Sequence, residues 1–127
     1  AVGDDLLRVT TTAIQEIAAS GNVIIAGRGA NMILAKEPGT LHVGLTSRKE
    51  ERVKRIMGRV SLGREEAEKY TAENDKARNA YFQRYFKVHP EAPENYHIIL
   101  NMDWMDYAQA AEAVIQASNI LQTSATP

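Results

Sequence analysis

Arginine is concentrated in one stretch of the chain, where its guanidinium groups could bind an anionic ligand. Between Arg48 and Arg64 the sequence has seven basic residues against two acidic ones, Glu50 and Glu51. A guanidinium binds a phosphate through two parallel hydrogen bonds, and a local positive field attracts such ligands. The same pattern also occurs on the solvated face of a helix. These residues alone therefore leave two alternatives open, an anion-binding surface and a solvated helix face.

A second candidate is the arginine of Gly27-Arg28-Gly29, which follows the apolar run Val23-Ile24-Ile25-Ala26. An apolar run of this length predicts a buried parallel strand, and ligands of open parallel sheets collect where such strands end. The flanking glycines allow a ligand or backbone to approach closely. Arg28 is therefore a candidate phosphate ligand. The structural alternative is an arginine that holds a loop in place through a carboxylate such as Asp103.

A third candidate is the pair Asp75 and Arg78, which share one face of a predicted helix because they are three residues apart. The alternative interpretation is a surface ion pair. On an exposed helix such a pair contributes about 0.2–0.5 kcal/mol.

Other kinds of chemistry have little support in the sequence. His42, His89 and His97 lack the spacing of metal ligands, so no metal site is predicted. There is no cysteine to act as a nucleophile and no G-x-S-x-G motif. The phosphate-binding motif G-x-x-x-x-G-K-[ST] is also absent from the 127 residues.

Length and composition indicate a single globular domain over residues 1–127. Hydrophobic residues make up 44% and charged residues 24% of the chain, which are ordinary globular values. The net charge of −1 predicts no general affinity for nucleic acid or membranes. The absence of cysteine fits a reducing compartment, and no secretory signal is visible, so a cytoplasmic location is expected.

The hydrophobic pattern predicts alternating helices and strands, and therefore an α/β fold with a parallel sheet. Ser47 and Glu50 form the S-x-x-E pattern of a capping box, and the tail after Leu121 is expected to fray. Three strands make a thin sheet. Helices are predicted at residues 4–20, 30–35, 47–59, 64–86 and 106–121, and strands at residues 23–26, 41–45 and 96–101.

Taken in order, four segments resemble the cytidylate-kinase-like family of P-loop nucleoside monophosphate kinases. The resemblance spans roughly residues 5–118, and the order and spacing of the motifs carry it. The segments are Gly21-Asn22-Val23-Ile24-Ile25-Ala26-Gly27-Arg28-Gly29-Ala30, Leu45-Thr46-Ser47 leading to Glu51-Arg52-Val53-Lys54-Arg55, Asp75-Lys76-Ala77-Arg78-Asn79-Ala80-Tyr81-Phe82, and Tyr96-His97-Ile98-Ile99-Leu100-Asn101.

The resemblance implies roles for the candidate residues. Arg28, Asp75 and Arg78 correspond to residues that bind the nucleoside monophosphate, and residues 58–71 correspond to the lid that closes over ATP. The implied catalytic residues lie at the lid hinge, where cationic side chains stabilise the negative charge that develops during phosphoryl transfer. They are Arg52, Arg55 and Arg59.

The sequence also departs from the family pattern. Gly29 stands where cytidylate kinases have an aspartate, and Thr71 stands where they have an arginine. The family's P-loop strand and helix precede these motifs and have no counterpart here. The fold implied is an incomplete three-layer P-loop-kinase-like domain, the C-terminal portion, with about three parallel strands flanked by helices.

Three functions remain open at this point. The chain resembles a cytidylate-type kinase that transfers phosphate from ATP to CMP, with ATP and Mg²⁺ implied by the resemblance only. Without a P-loop, transfer by this chain alone is expected to be negligible. The alternatives are a non-catalytic, kinase-derived module that self-associates or binds a partner, and an unrelated α/β domain that binds another small anion. A homo-oligomer is expected, because a missing central strand would leave a sheet edge exposed.

Overall fold

The described part of the chain, residues 2–121 of a computed structural model, forms five α-helices and two β-strands. The prediction of a frayed tail after Leu121 lies outside these residues. In chain order the elements are α1 (Val2–Ala19), α2 (Ala30–Ile33), β1 (Val43–Thr46), α3 (Lys49–Val60), α4 (Arg64–Phe86), a short 3-10 helix (Pro93–Asn95), β2 (Ile98–Asn101) and α5 (Tyr107–Ile120).

The sheet has two parallel strands, β1 and β2, in the register that pairs Val43 with Ile98 and Thr46 with Asn101. The α/β class and these two predicted strands are confirmed, with shorter bounds than the pattern predicted. At the start of the sheet, the backbone N–H of His97 donates to the carbonyl of His42 at 2.8 Å, and the two imidazole rings stack. Because the two strands are parallel, their carboxyl ends lie side by side at the other end of the sheet.

The prediction of a strand at Val23–Ala26 is wrong. Residues 22–26 make no backbone–backbone hydrogen bond within the described part of the chain, and the side chain of Ile24 is 98% exposed. An apolar run becomes a strand only when a neighbouring strand supplies partners for its backbone groups. Neither β1 nor β2 pairs with it, so the described sheet has two strands rather than three.

The start of α3 is stabilised by a different group from the one the sequence pattern predicts. Ser47 and Glu50 do not form a capping box: the N-cap residue is Arg48, and its side chain makes no capping bond. Instead, the carboxylate of Asp103, 55 residues later, accepts the backbone N–H of Arg48 at 3.1 Å. The hydroxyl of Ser47 donates to the same carboxylate at 2.7 Å. A capping group from a distant segment leaves no local sequence pattern.

Helices α3 and α4 pack against each other as a hairpin, and residues 61–63 form the turn between them. Ser61 ends α3 with φ 55°, a left-handed conformation that stops a helix. Val53 of α3 and Ala67 of α4 are buried between the packed elements. The segment 58–71, expected to form a lid, is therefore the helical tip of this hairpin.

The loop at residues 27–29 packs against the C-terminal half of α4. Gly27, Arg28 and Gly29 all have positive φ angles, of 79°, 59° and 70°. Gly29 is buried, and a Cβ atom added to it would lie 2.4 Å from the ring of Phe86. An aspartate, which the family resemblance leads one to expect at this position, would therefore require the Phe86 ring to move.

The remaining helices have ordinary ends. Asp4 and Asp5 lie in the first turn of α1, which begins earlier than expected, at Val2. Asp106 caps α5, as its predicted start indicates, and forms a capping box with Gln109. No helix between Val2 and Leu121 combines the length and apolar character needed to cross a bilayer.

The contact between Gly29 and Phe86 generates a stability prediction. Gly29→Ala is expected to lower the free energy of unfolding by about 2–4 kcal/mol, because it adds a side chain to a left-handed backbone and forces it against a packed ring. Gly39→Ala is the matched control. Gly39 has φ 77° with nothing within 4 Å of the added Cβ, so only the backbone cost of about 1–2 kcal/mol applies. Urea unfolding measures both, and equal losses would contradict the packing argument.

Candidate functional site

A cavity of about 400 Å³ opens where β1 and β2 end, beside the packed helices α3 and α4. It is called here the arginine cavity. Three guanidinium groups line it together with one carboxylate, that of Asp75. Its apolar wall consists of Leu45, Ile56, Met102 and Tyr107, and its remaining polar residues are Thr46, Ser47, Thr71 and Asn74.

The guanidinium groups all come from α3. Arg52, Arg55 and Arg59 follow one another at three- and four-residue spacing, which places them on the same helix face. Arg55 donates to the carbonyl of Met102, just after β2, at 3.1 Å. Arg59 makes no hydrogen bond or ion pair with any residue in the range 2–121. The structure therefore brings the three predicted catalytic residues together in one cavity, with Arg59 available to a ligand.

Arg52 and Asp75 join α3 to α4. The guanidinium of Arg52 donates to the Asp75 carboxylate at 2.6 Å and to the carbonyl of Ser47 at 3.1 Å. The side chains are 35% and 39% exposed, respectively, so the pair lies at the cavity wall. The hydrogen bond from Arg52 to Asp75 raises the pKa of the guanidinium above its ordinary value. Asp75 is therefore already engaged by a cation in the absence of ligand.

A second, smaller cavity of about 210 Å³ adjoins the first, and Arg52 and Asp75 line both. It is called here the polar cavity. Its other lining residues are Arg78 and Asn79 of α4 and His89 and Glu91 of the following loop. Arg78 lies 3.7 Å from Glu91 and 5.4 Å from the centre of the Phe82 ring. His89 and Glu91 were not predicted, because an irregular loop has no periodicity that shows where its side chains point.

Arg28 lies apart from the other candidates. It lines neither the arginine cavity nor the polar cavity. Its backbone carbonyl accepts the hydroxyl of Tyr81 at 2.8 Å, which holds the loop against α4 one turn beyond Arg78. Asp103, the carboxylate considered as its partner, is bound by Ser47 and Arg48 instead. Of the predicted substrate-binding residues, Asp75 and Arg78 thus lie together and Arg28 does not join them.

Thr71 is a polar residue with an unusual environment. Thr71 is only 4% exposed, and its hydroxyl oxygen has no hydrogen-bond partner in the described part of the chain. A threonine inside a helix usually has a carbonyl or solvent as partner. A buried hydroxyl without a partner costs about 1–3 kcal/mol. Thr71 also lines the arginine cavity.

Within residues 2–121 no group of three or more histidine, aspartate or glutamate side chains is arranged to hold a metal ion. The arginine cavity has one carboxylate in its lining, that of Asp75, and this carboxylate already accepts a hydrogen bond from the guanidinium of Arg52.

Asp103 accepts hydrogen bonds from Ser47 and Arg48 at the start of α3, beside the arginine cavity. These hydrogen bonds make the stability of the fold depend on pH. Its side chain is 4% exposed. The hydroxyl of Ser47, followed by the backbone N–H and guanidinium of Arg48, lowers the pKa of Asp103 below its ordinary value. A carboxyl group with a lowered pKa binds fewer protons in the folded state than in the unfolded state. Its stabilising effect is therefore present above its unfolded pKa of about 4 and is lost as pH falls through the folded value.

Asp103→Asn is accordingly expected to lower stability at pH 7, with a difference from the wild type that shrinks between about pH 4 and lower values. Ser47→Ala removes the largest cause of the shift, so its acid loss should be smaller than that of the wild type and complete at a higher pH. Urea midpoints measured from pH 7 to pH 3 test both variants. A difference between Asp103→Asn and wild type that stays constant with pH would contradict the assignment.

Comparison with solved structures identifies the fold in another protein. An uncharacterized protein from Eubacterium ventriosum matches 91% of this chain with a TM-score of 0.83 and 22% sequence identity. The match covers 65% of that protein's chain. The arrangement of elements described above therefore recurs within a longer chain.

Sequence comparisons give one distant relative and a family. A uronate isomerase of Corynebacterium glutamicum is 27% identical over 116 residues, which are 91% of this chain and 22% of that protein. The family model described as cytidylate kinase-like matches residues 1–104. Since that match covers most of the chain, and the candidate residues of α3 and α4 lie within it, the protein belongs to the cytidylate kinase-like family.

Proposed function

We propose that the arginine cavity binds the phosphate group of a nucleoside monophosphate such as CMP. The observation that carries the proposal is the convergence of Arg52, Arg55 and Arg59 on one cavity at the strand ends. Three guanidinium groups face a single carboxylate there, so the cavity favours an anion. Guanidinium groups match the geometry of phosphate oxygens.

The apolar part of the cavity lining supports a nucleotide rather than a bare anion. Leu45, Ile56, Met102 and the ring of Tyr107 provide apolar surface within the same cavity. A ligand with an anionic end and a flat, less polar body matches both the guanidinium groups and the apolar side chains of the lining. At about 400 Å³ the cavity is in the range of small-molecule sites.

The proposed role is the monophosphate and lid side of a kinase site. In that role Arg52, Arg55 and Arg59 stabilise negative charge on a phosphoryl group, while Asp75 and Arg78 contact the acceptor nucleotide. Arg28 belongs to this site only through the family resemblance, since it lines neither cavity.

The residues present do not fit Mg²⁺ and ATP. Neither cavity is lined by a lysine, and Asp75, the carboxylate of the arginine cavity, is paired with Arg52. The 127 residues contain no G-x-x-x-x-G-K-[ST] motif. Phosphoryl transfer by P-loop kinases depends on such a loop. We therefore expect nucleotide binding without transfer when ATP and CMP are assayed with this chain alone.

Calorimetric titration of CMP tests the proposal. Arg59→Ala is expected to weaken binding by roughly tenfold or more, the effect of losing one charge-assisted hydrogen bond. Arg59 is suited to this test because it has no partner among the described residues, so its loss leaves the fold intact. Arg8→Ala is the matched control, since Arg8 is an exposed arginine on α1 that lines neither cavity. Equal affinity in the wild type and Arg59→Ala would overturn the assignment.

A second candidate function, self-association, is favoured by the exposed segment Val23–Ala26. Ile24 is 98% exposed and the backbone of residues 22–26 is unpaired within the described part of the chain. An unpaired backbone segment with apolar side chains favours strand addition. A second copy of the chain would supply a chemically identical segment, so that two such segments could pair.

Light scattering at micromolar concentration tests self-association. The wild type is expected to form an oligomer, and Ile24→Asp is expected to shift it toward the monomer, because a carboxylate would be buried at the contact. Ala35→Asp, on another exposed loop, is the control and should leave the oligomer intact. A stable wild-type monomer would contradict this function.

A further inference from the structure

We infer that the hydroxyl of Thr71 is a ligand-binding group of the arginine cavity that donates to an oxygen of the bound phosphate. This inference rests on the proposed function and adds a residue to it. It starts from an observation independent of the arginines: Thr71 lines the cavity, and its hydroxyl is buried and has no hydrogen-bond partner among residues 2–121.

The position of Thr71 follows from the α3–α4 hairpin. Consecutive helices with a short connection run antiparallel. The ion pair between Arg52 and Asp75 fixes which turns face each other. One turn from this pair toward the hairpin tip, α3 carries Arg55 and α4 carries Thr71. Thr71 therefore lies opposite the turn of α3 that carries Arg55, and both residues line the arginine cavity.

The guanidinium groups near Thr71 determine which kind of ligand atom its hydroxyl would contact. Arg55 and Arg59 are donors only, so what they hold in the cavity is an acceptor. A hydroxyl group can donate a hydrogen bond to an acceptor that is already bound by guanidinium groups. Threonine in a helix has two accessible rotamers, so the proposed hydrogen bond requires only that the hydroxyl turn toward the cavity by rotation about the Cα–Cβ bond.

Energetics favour this assignment. Burying a hydroxyl without a partner destabilises the empty protein. A phosphate oxygen supplies that partner, so the cost is recovered when the ligand binds. Groups that weaken the empty fold and strengthen the complex are typical of binding sites. A residue with a purely structural role would show the opposite behaviour, since its loss would destabilise the empty protein.

The test uses inorganic pyrophosphate and CMP as probes, with Thr71→Val and Thr71→Ser as a pair. Valine has the shape of threonine without the hydroxyl, and serine keeps the hydroxyl. Thr71→Val is expected to weaken binding of both probes by about tenfold, the loss of one hydrogen bond to a charged acceptor, while its urea midpoint without ligand stays equal or rises. Thr71→Ser is expected to bind within about threefold of the wild type, a difference below one such hydrogen bond.

The outcomes separate this inference from the proposed function. If Arg59→Ala weakens binding and Thr71→Val binds as the wild type does, the role of Thr71 is overturned and the arginine cavity stands. If Thr71→Val loses stability in the empty protein in proportion to its loss of binding, the residue is structural and the inference is overturned. If the wild type binds neither probe, both the proposed function and the role of Thr71 fail.

Discussion

The candidate site depends on one contact, the ion pair between Arg52 and Asp75. It joins the helices whose side chains form the arginine cavity, and it also separates that cavity from the polar cavity. Both side chains are about one-third exposed, so the pair contributes less as a stabilising interaction than as a geometric one. It joins facing turns of α3 and α4, the two helices that carry the arginines and Thr71. A ligand anion would compete with Asp75 for the guanidinium of Arg52.

A second constraint acts at the base of α3. Asp103 follows β2, and its carboxylate holds Ser47 and the backbone of Arg48. The helix that carries the arginines is thereby anchored to the end of the sheet. Arg55 reinforces the connection by donating to the carbonyl of Met102. The positions of the guanidinium groups are therefore set by the sheet edge as well as by the packing of α4.

Local patterns predicted the elements well where the interactions are local. Asp106 at the start of α5, the long α4 and the two paired strands all follow from caps or periodicity. The failures have a common cause. Val23–Ala26 has the composition of a strand, yet a strand exists only through its neighbour, and the capping of α3 by Asp103 involves a group 55 residues away. Interactions between distant segments leave no trace in a local pattern.

The site was predicted to a similar extent. Arg52, Arg55, Arg59, Asp75 and Arg78 were selected by residue type and resemblance, and the fold brings them together. Helical spacing explains why the three arginines share one face of α3 and why Asp75 and Arg78 share one face of α4, whereas the roles of these residues stay predictions. The position of Arg28 depends on the path of a loop, so its absence from both cavity linings could not be predicted from spacing. His89 and the buried state of Thr71 are likewise tertiary properties.

The contact between Gly29 and Phe86 has an evolutionary consequence. Because the ring occupies the space of a side chain at position 29, the two positions are not free to vary independently. A substitution that enlarges residue 29 becomes tolerable only after residue 86 becomes smaller, and the order of the two changes matters. In family members with an aspartate after the loop arginine, we expect a smaller side chain in place of Phe86. Substitutions at position 86, the end of α4, thus limit which side chains are tolerated at position 29 of the loop.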